Sequence, residues 1–374
     1  MLSLSKHPAL RRGIAPLRRA SSVSICVHLW LALALLALAC AGDAVAPPPT
    51  ATQPAVAPAP DVPSGPITIA AVGDVVLDRD MIPMMEQDGA GSPFAHVAAL
   101  LQDADLTVAN LEAPFTERGA PADKTYTFRV PPRFARGLVE AGIDVVSLGN
   151  NHAADYGTEG LVDTLATLTD LGIAYTGAGD DDASARRPAL VTVRGLTLAF
   201  LSYTDVDGSA FAGPDTPGVA FADPTTIAAD VAAARGGADA VIVMLHFGIE
   251  YTDAPQPAQQ TLARAAIDAG ALLVLGHHPH TLQGWERYGG GVIAYSLGNF
   301  VFDLDDVDRA QLGERAAQTA VLYVTLTAGE VLDVRAEPVT IDAADGYRPR
   351  PASSAEASAI LARLADLNQI AGGP

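Results

Sequence analysis

The chain has 374 residues and a formal charge of −20, with 49% hydrophobic and 18% charged residues. So much apolar content excludes disorder through the body of the chain. The negative charge argues against nucleic acid as a partner and against adsorption to anionic lipid through a basic patch.

The N-terminal segment is basic (Lys6, Arg11, Arg12, Arg18, Arg19) and runs into an apolar stretch over residues 23–39. That order predicts a secretory signal peptide over residues 1–39, and the stretch is shorter than the ~20 apolar residues of a membrane-spanning helix. Ala37-Leu38-Ala39-Cys40 resembles a bacterial lipobox, so cleavage before Cys40 and its acylation are expected. The chain would then be a lipoprotein on the outer face of the cell membrane. The same small residues also satisfy an ordinary cleavage site, which would give a secreted protein, and a retained membrane anchor is the third alternative. Loss of the five cations leaves a mature charge of about −25. Cys26 lies in the discarded run, so the mature protein has no disulfide. Residues 40–66 are rich in Pro and Ala and read as a semi-rigid linker, with a reach on the order of 80 Å at ~3.1 Å per residue.

From residue 67 apolar runs alternate with helical patterns. Strands are expected at residues 67–72, 106–109, 145–148, 189–193, 196–201, 241–245, 272–275, 292–296, 320–326 and 331–339. Helices are expected at 93–101, 133–141, 158–171, 225–235, 257–269 and 354–367. In the third of these, Leu161, Leu165 and Leu168 form one apolar face. The alternation predicts an α/β domain over residues 67–350 with largely parallel strands, followed by a C-terminal helix and tail over residues 351–374. So many strands fit two stacked sheets flanked by helices better than one flat sheet.

Polar residues of one kind gather at strand ends. Five apolar runs finish in Asp74, in Asn110 and Glu112, in residues 150–152 (Asn150, Asn151, His152), in His246 and Glu250, and in His277, His278 and His280. In parallel sheets the loops beyond the carboxyl ends of strands converge, so these clusters are expected in one cleft. Carboxylate, carboxamide and imidazole donors without cysteine suit Mn, Fe, Zn or Mg. Two such ions can clamp a phosphoryl group, with a further imidazole as proton donor to the leaving group.

The motifs G-D-x-x-x-x-R (Gly73, Asp74, Arg79), N-L-E (residues 110–112), G-N-N-H-x-x-D-x-G (149–157), H-x-G-x-E (246–250), G-H-H-P-H-x-x-Q (276–283) and S-L-G-N-F-x-F (296–302) resemble, in order, those of the CapA or PGA_cap family of capsule synthesis proteins. That family is similar to calcineurin-like metallophosphoesterases, which implies a four-layer α-β-β-α sandwich and a dinuclear metal centre. The resemblance implies Asp74, Glu112, Asn151, His246, His278 and His280 as ligands, and His152 as general acid held by Asp155. It implies Arg79, Asn150 and Asn299 as substrate contacts and Glu250 as an orienting residue. His277 fits the metal-ligand pattern less well. The chain departs from common metallophosphoesterases where Asp74-Val75-Val76 replaces D-x-H and Glu112 replaces the usual Asp.

Two functions follow as expectations. One is an exported metal-dependent hydrolase acting on an anionic polymer or phosphoester in capsule or poly-γ-glutamate metabolism. The other is a non-enzymatic lipoprotein that works with polyglutamate synthase components in assembly or export, with a binding lipoprotein without turnover as a further variant.

Overall fold

A computed structural model describes residues 65–373, so the expected signal peptide, Cys40 and nearly all of the linker lie outside the described residues. In chain order β1 (Ile67–Val75), α1 (Met81–Asp88) and α2 (Ala98–Gln102) lead to β2 (Leu106–Leu111). Next come α3 (Arg136–Ala141), β3 (Val145–Ser147), α4 (Gly157–Leu171) and β4 (Ala174–Thr176). After the short β5 (Ala178–Gly179) and α5 (Asp182–Ala185), β6 (Ala189–Val193) and β7 (Leu196–Thr204) form a hairpin. The chain continues through β8 (Gly218–Val219), α6 (Pro224–Ala234), β9 (Ala240–His246), α7 (Pro257–Asp268) and β10 (Leu273–His277). It ends with β11 (Trp285–Tyr288), β12 (Gly291–Ala294), β13 (Asn299–Val301), α8 (Asp306–Leu312), β14 (Gln318–Leu326), β15 (Val331–Asp342), β16 (Arg348–Pro351) and α9 (Ser354–Ala371).

Two sheets result. The first has the order β16-β15-β14-β1-β2-β3-β4, with β13 also pairing parallel to β1, and the second has the order β11-β12-β10-β9-β7-β6. In the first, β1 to β4 run parallel, as the helical crossovers between them require. In the second, β7, β9, β10 and β12 are parallel neighbours.

The sheets meet face to face. Ile69, Val108 and Val324 of one pack with Phe200, Ile242 and Leu275 of the other, and each such side chain taken from water contributes ~1.5–3 kcal/mol. The outer face of the first sheet is covered by α1 to α4, through residues such as Met81, Leu101, Leu138 and Leu161. That of the second is covered by α6 and α7, through Ile227, Val231, Leu262 and Ala266. The order of layers is therefore α-β-β-α, as expected. Because central strands such as β9 and β10 are covered on both faces, they are nearly continuously apolar rather than alternating.

Local sequence fixes the ends of several elements. Asp223 caps α6 by accepting from the amides of Thr225 and Thr226 at 3.0 Å each, with Pro224 in the first turn. Ser353 and Glu356 form a capping box at the start of α9. The expected helices at 93–101 and 133–141 are each interrupted: Ser92–Phe94 and Pro132–Phe134 are single 3₁₀ turns, and only α2 and α3 are α-helical. A proline in the first residues of each stretch pre-sets the tight opening turn. His96 consequently sits in a turn rather than in a helix. Among the described residues no helix is long and apolar enough to cross a membrane.

Candidate metal centre

The carboxyl ends of β1, β2 and β3 meet those of β9 and β10 at one rim of the sandwich. Asp74 is next to last in β1, where Gly73 lets the strand press against the neighbouring chain: a Cβ there would stand 1.8 Å from the Gly298 carbonyl oxygen. The Asp74 amide donates to that same oxygen at 2.9 Å, and β13 brings Asn299 level with Asp74. On the second sheet His246 and His277 end paired strands in register. His278 and His280 follow with φ of 95° and 54°, backbone conformations rare outside glycine.

Asp74, Glu112 and His246 are fully buried, and His278 and His280 are nearly so. Asn110 stands at the hub. Its Nδ2 donates to Asp74 Oδ1 at 2.8 Å and lies 3.4 Å from Glu112 Oε2 and 3.3 Å from His246 Nδ1. Across the seam between sheets, His246 Nε2 lies 2.8 Å from Asn151 Oδ1 and 3.4 Å from Glu112 Oε1. His280 Nδ1 is 2.9 Å from Asn299 Oδ1 and 3.5 Å from Asp74 Oδ2. The structure therefore gathers all six expected ligands.

Charges in the cluster diverge with their surroundings. Burial opposes the charge on Asp74, but the contacts with His277 and His280 outweigh it and hold this carboxyl well below the usual carboxylate range. Burial, reinforced by the neighbouring negative charge of Asp74, pushes Glu112 well above that range. Burial lowers His246 strongly and takes His278 down to about 3, so both are neutral. Against burial, Glu112 and Asp74 raise His280 to about 10. Neutral imidazoles are the form that binds a cation, and a cation would displace the proton that Glu112 and His280 hold between them.

The donor set fits a divalent ion on its own evidence. Among the described residues Glu112 Oε1 and His278 Nδ1 are buried without a hydrogen-bond partner, which a folded protein rarely tolerates without compensation. Ligand atoms of Asp74, Glu112 and His246 lie within 4.8 Å of one another, and so do those of Glu112, His278 and His280. Such spacing is near the roughly 4.4 Å that separates donors on opposite sides of an ion at about 2.2 Å. Glu112 belongs to both groups.

Beside this cluster a small open cleft is lined by His152, His280, Arg79, Phe128, Tyr251 and Phe302, among others. His152 Nδ1 is held by Asp155 Oδ2 at 2.7 Å, leaving Nε2 as the nitrogen available to a ligand, and burial lowers its pKa against the pull of Asp155. Asp155 is itself fully buried, where it takes the Phe128 amide at 2.7 Å and the Lys124 ammonium. The Arg79 guanidinium lies over the rings of Phe128 (4.8 Å) and Tyr126 (5.4 Å) and has one long partner, Asp303 Oδ1 at 3.5 Å.

Three expectations are corrected. Asn150 does not face the cleft: its Nδ2 donates to Asn110 Oδ1 at 3.1 Å and the Leu111 carbonyl at 2.8 Å, and its Oδ1 accepts from the His152 amide at 3.0 Å. Asn299 is 1% exposed: its Oδ1 meets His280 Nδ1, while its Nδ2 is buried with no partner among the described residues. Both carboxamides contact ligand-bearing loops, and of the three expected substrate contacts Arg79 alone lines the opening. Glu250 is exposed on the cleft rim and, among the described residues, has no hydrogen bond to a ligand-type side chain, so it acts on the cluster through its charge alone. His277, the doubtful case, is fully buried with Nδ1 3.2 Å from Asp74 Oδ1.

Sequence reasoning missed Asn110 as the hub, although it stood in the N-L-E motif, and Lys124, whose Nζ also donates to the Asn151 carbonyl at 2.6 Å. Its one signal was that Lys6 and Lys124 are the only lysines of the chain.

The bacterial capsule synthesis protein family PGA_cap matches residues 68–304. The chain is 39% identical over 241 residues to the PGA biosynthesis protein CapA of Bacillus subtilis (strain 168), a match covering 63% of each chain. It is 35% identical over 246 residues to the capsule biosynthesis protein CapA of Bacillus anthracis, covering 63% of this chain and 60% of that one. The match thus spans less than two thirds of either relative's own length. Among solved structures, a 5'-nucleotidase precursor from Thermus thermophilus superposes with a TM-score of 0.47 at 16% identity, over 80% of this chain and 58% of that one.

Proposed function

The chain belongs to the PGA_cap family of bacterial capsule synthesis proteins, and from that premise we propose that it is an exported divalent-cation-dependent hydrolase of capsule or poly-γ-glutamate metabolism. The observation that carries the reading is Glu112, a buried residue with one unpartnered carboxyl oxygen that belongs to both groups of ligand residues. A shared carboxylate between two sets of donors suits two ions, and bound ions there would polarise a phosphoryl or carbonyl oxygen and ease deprotonation of water.

The residues of the chain supply the rest. Asp74, Glu112, Asn151, His246, His278 and His280 would hold the ions, with Asn110 orienting three of them. Asp155 fixes the tautomer of His152 so that Nε2 can deliver a proton to a leaving group. Arg79, with most of its donors unused, receives an anionic group of the substrate. Phe128, Tyr251 and Phe302 narrow the opening and exclude water from the reacting atoms. The substrate class is an anionic polymer or phosphoester, and ions at the centre offset the acidity of the chain toward it. Polyglutamate synthase components are the proposed partners, and Cys40 the proposed lipid anchor on the outer face of the membrane.

Elemental analysis of the full-length chain beside a His278→Ala/His280→Ala variant tests the centre. One or two divalent ions per wild-type chain and a clear loss in the variant are expected; equal metal in both would end the reading. Loaded protein is then offered phosphodiesters, phosphomonoesters and γ-glutamyl peptides, and bound metal without turnover on any of them would favour a non-enzymatic role in polymer assembly. Fractionation of the same cultures alongside Cys40→Ser reads the anchor: wild type in the membrane and variant released is expected, and identical partition removes the anchor.

A further inference from the structure

The family match stops at residue 304, yet α9 lies well beyond it and reaches the loop that carries His278 and His280. Arg363 of α9, its side chain 13% exposed, donates from Nη2 to Thr281 Oγ1 at 2.6 Å and to Asp253 Oδ1 at 2.8 Å. Thr281 directly follows His280 and is fully buried. Asp253 lies on the loop after β9, the loop of Glu250 and Tyr251. One guanidinium thus ties the last helix to both loops that the second sheet contributes to the centre.

The rest of the helix is seated to keep that contact. Leu282 packs against Ile360, Leu364 and Leu367. At Gly284 the approach is so close that a Cβ would stand 2.2 Å from the Leu367 carbonyl oxygen. One step on, the Trp285 amide donates to Asn368 Oδ1 at 2.9 Å.

These loops need an outside hold. Tyr251, His278 and His280 have φ of 63°, 95° and 54°, and non-glycine residues persist there only where their surroundings over-determine them. The Tyr251 amide donates to the Pro279 carbonyl at 2.8 Å, so the two loops behave as one strained unit. Arg363 grips that unit at each end.

We propose that the C-terminal helix braces the metal-binding loops, with Arg363 as the positioning residue that sets where His280 stands. The inference rests on the metal reading proposed above. The experiment compares full-length wild type, Arg363→Gln and Val231→Ala. Val231 is buried in α6, in the core cluster between that helix and the second sheet, so its truncation lowers stability without touching Arg363 or its partners. Mn²⁺ affinity is read by calorimetry on chelator-treated protein, and exchange of the Thr281 and Leu282 amides is followed in the same ion-free samples.

Arg363→Gln should bind Mn²⁺ about tenfold more weakly, the lower end of what residues supporting ligands contribute, and should exchange those two amides faster. Val231→Ala should match wild type in both despite its lower melting temperature. If Arg363→Gln matches Val231→Ala in affinity and in exchange, the brace is overturned. Wild type that takes up no Mn²⁺ would sink the metal reading alone; the exchange of Thr281 and Leu282 would still decide the brace.

Discussion

Arg79 meets the cleft with a guanidinium whose single carboxylate partner among the described residues is Asp303, and the charge of that partner depends on pH. Burial pushes the Asp303 carboxyl up to about 7, with Arg79 pulling the other way. A folded pKa above the ordinary value of 3.8 means that the folded chain binds more protons than the unfolded one between the two values. Stability therefore falls as pH rises through that interval, and the loss is complete above the folded value. Asp303→Asn lacks this dependence. Unfolding by urea from about pH 4.5 to about pH 7.5 should show wild type losing ground to Asp303→Asn; parallel pH profiles would contradict the buried, proton-retaining carboxyl. At this scale the ligand types were legible because Asp, Glu and His at strand ends have few other uses in such number. The resemblance implied substrate contacts at Asn150 and Asn299, and a carboxamide looks the same in sequence whether it meets substrate or holds a neighbour. Lys124 was illegible because its partner Asp155 is distant in sequence and no periodicity connects them.

Strands β1, β2, β3, β9 and β10 bring the ligands to one rim, but the loops beyond them fix the ligands in place. The segment after β2 lies on the loop after β3: the Ala122 amide donates to the Asp155 carbonyl at 2.7 Å, the Phe128 amide to its carboxylate, and Lys124 pairs with that carboxylate. Removing one partner of a buried ion pair strands the other charge, typically at ~3–5 kcal/mol. Lys124 keeps some solvent contact, with 22% of its side chain exposed. Lys124→Met should therefore lower the unfolding free energy by about 3 kcal/mol, and a change below about 0.5 kcal/mol, the scale of an ordinary surface substitution, would show that the loops hold together without it. Strands such as β9 and β14 were legible because the runs Ala240–Leu245 and Ala320–Val324 are apolar without a break. β4, β11, β13 and β16 were not, since they span three or four residues each and are recruited as strands by neighbours already in place rather than by any pattern of their own.

Seen across the whole molecule, the centre lies on the seam between two sheets. Asp74, Asn110, Glu112 and Asn151 come from the first sheet and its loops, and His246, His278 and His280 from the second. Two stacked sheets were legible from the number of apolar runs, and the convergence of strand ends followed from their parallel order; which sheet each strand joins was not, because pairing is decided by tertiary packing. An ion bound on the seam ties the sheets together only when the chain is folded, since the ligands are far apart along an unfolded chain. It should therefore raise stability by mass action, by ~2.7 kcal/mol at a free concentration one hundred times its dissociation constant. In a domain of this size that corresponds to roughly 5 °C of melting temperature. Chelation should lower the melting temperature of wild type by about that amount without unfolding it, because the inter-sheet core of Ile69, Phe200, Ile242 and Leu275 needs no ion. The His278→Ala/His280→Ala chain should melt at one temperature with and without chelator. Wild type behaving the same way would mean that no ion joins the two sheets at this seam.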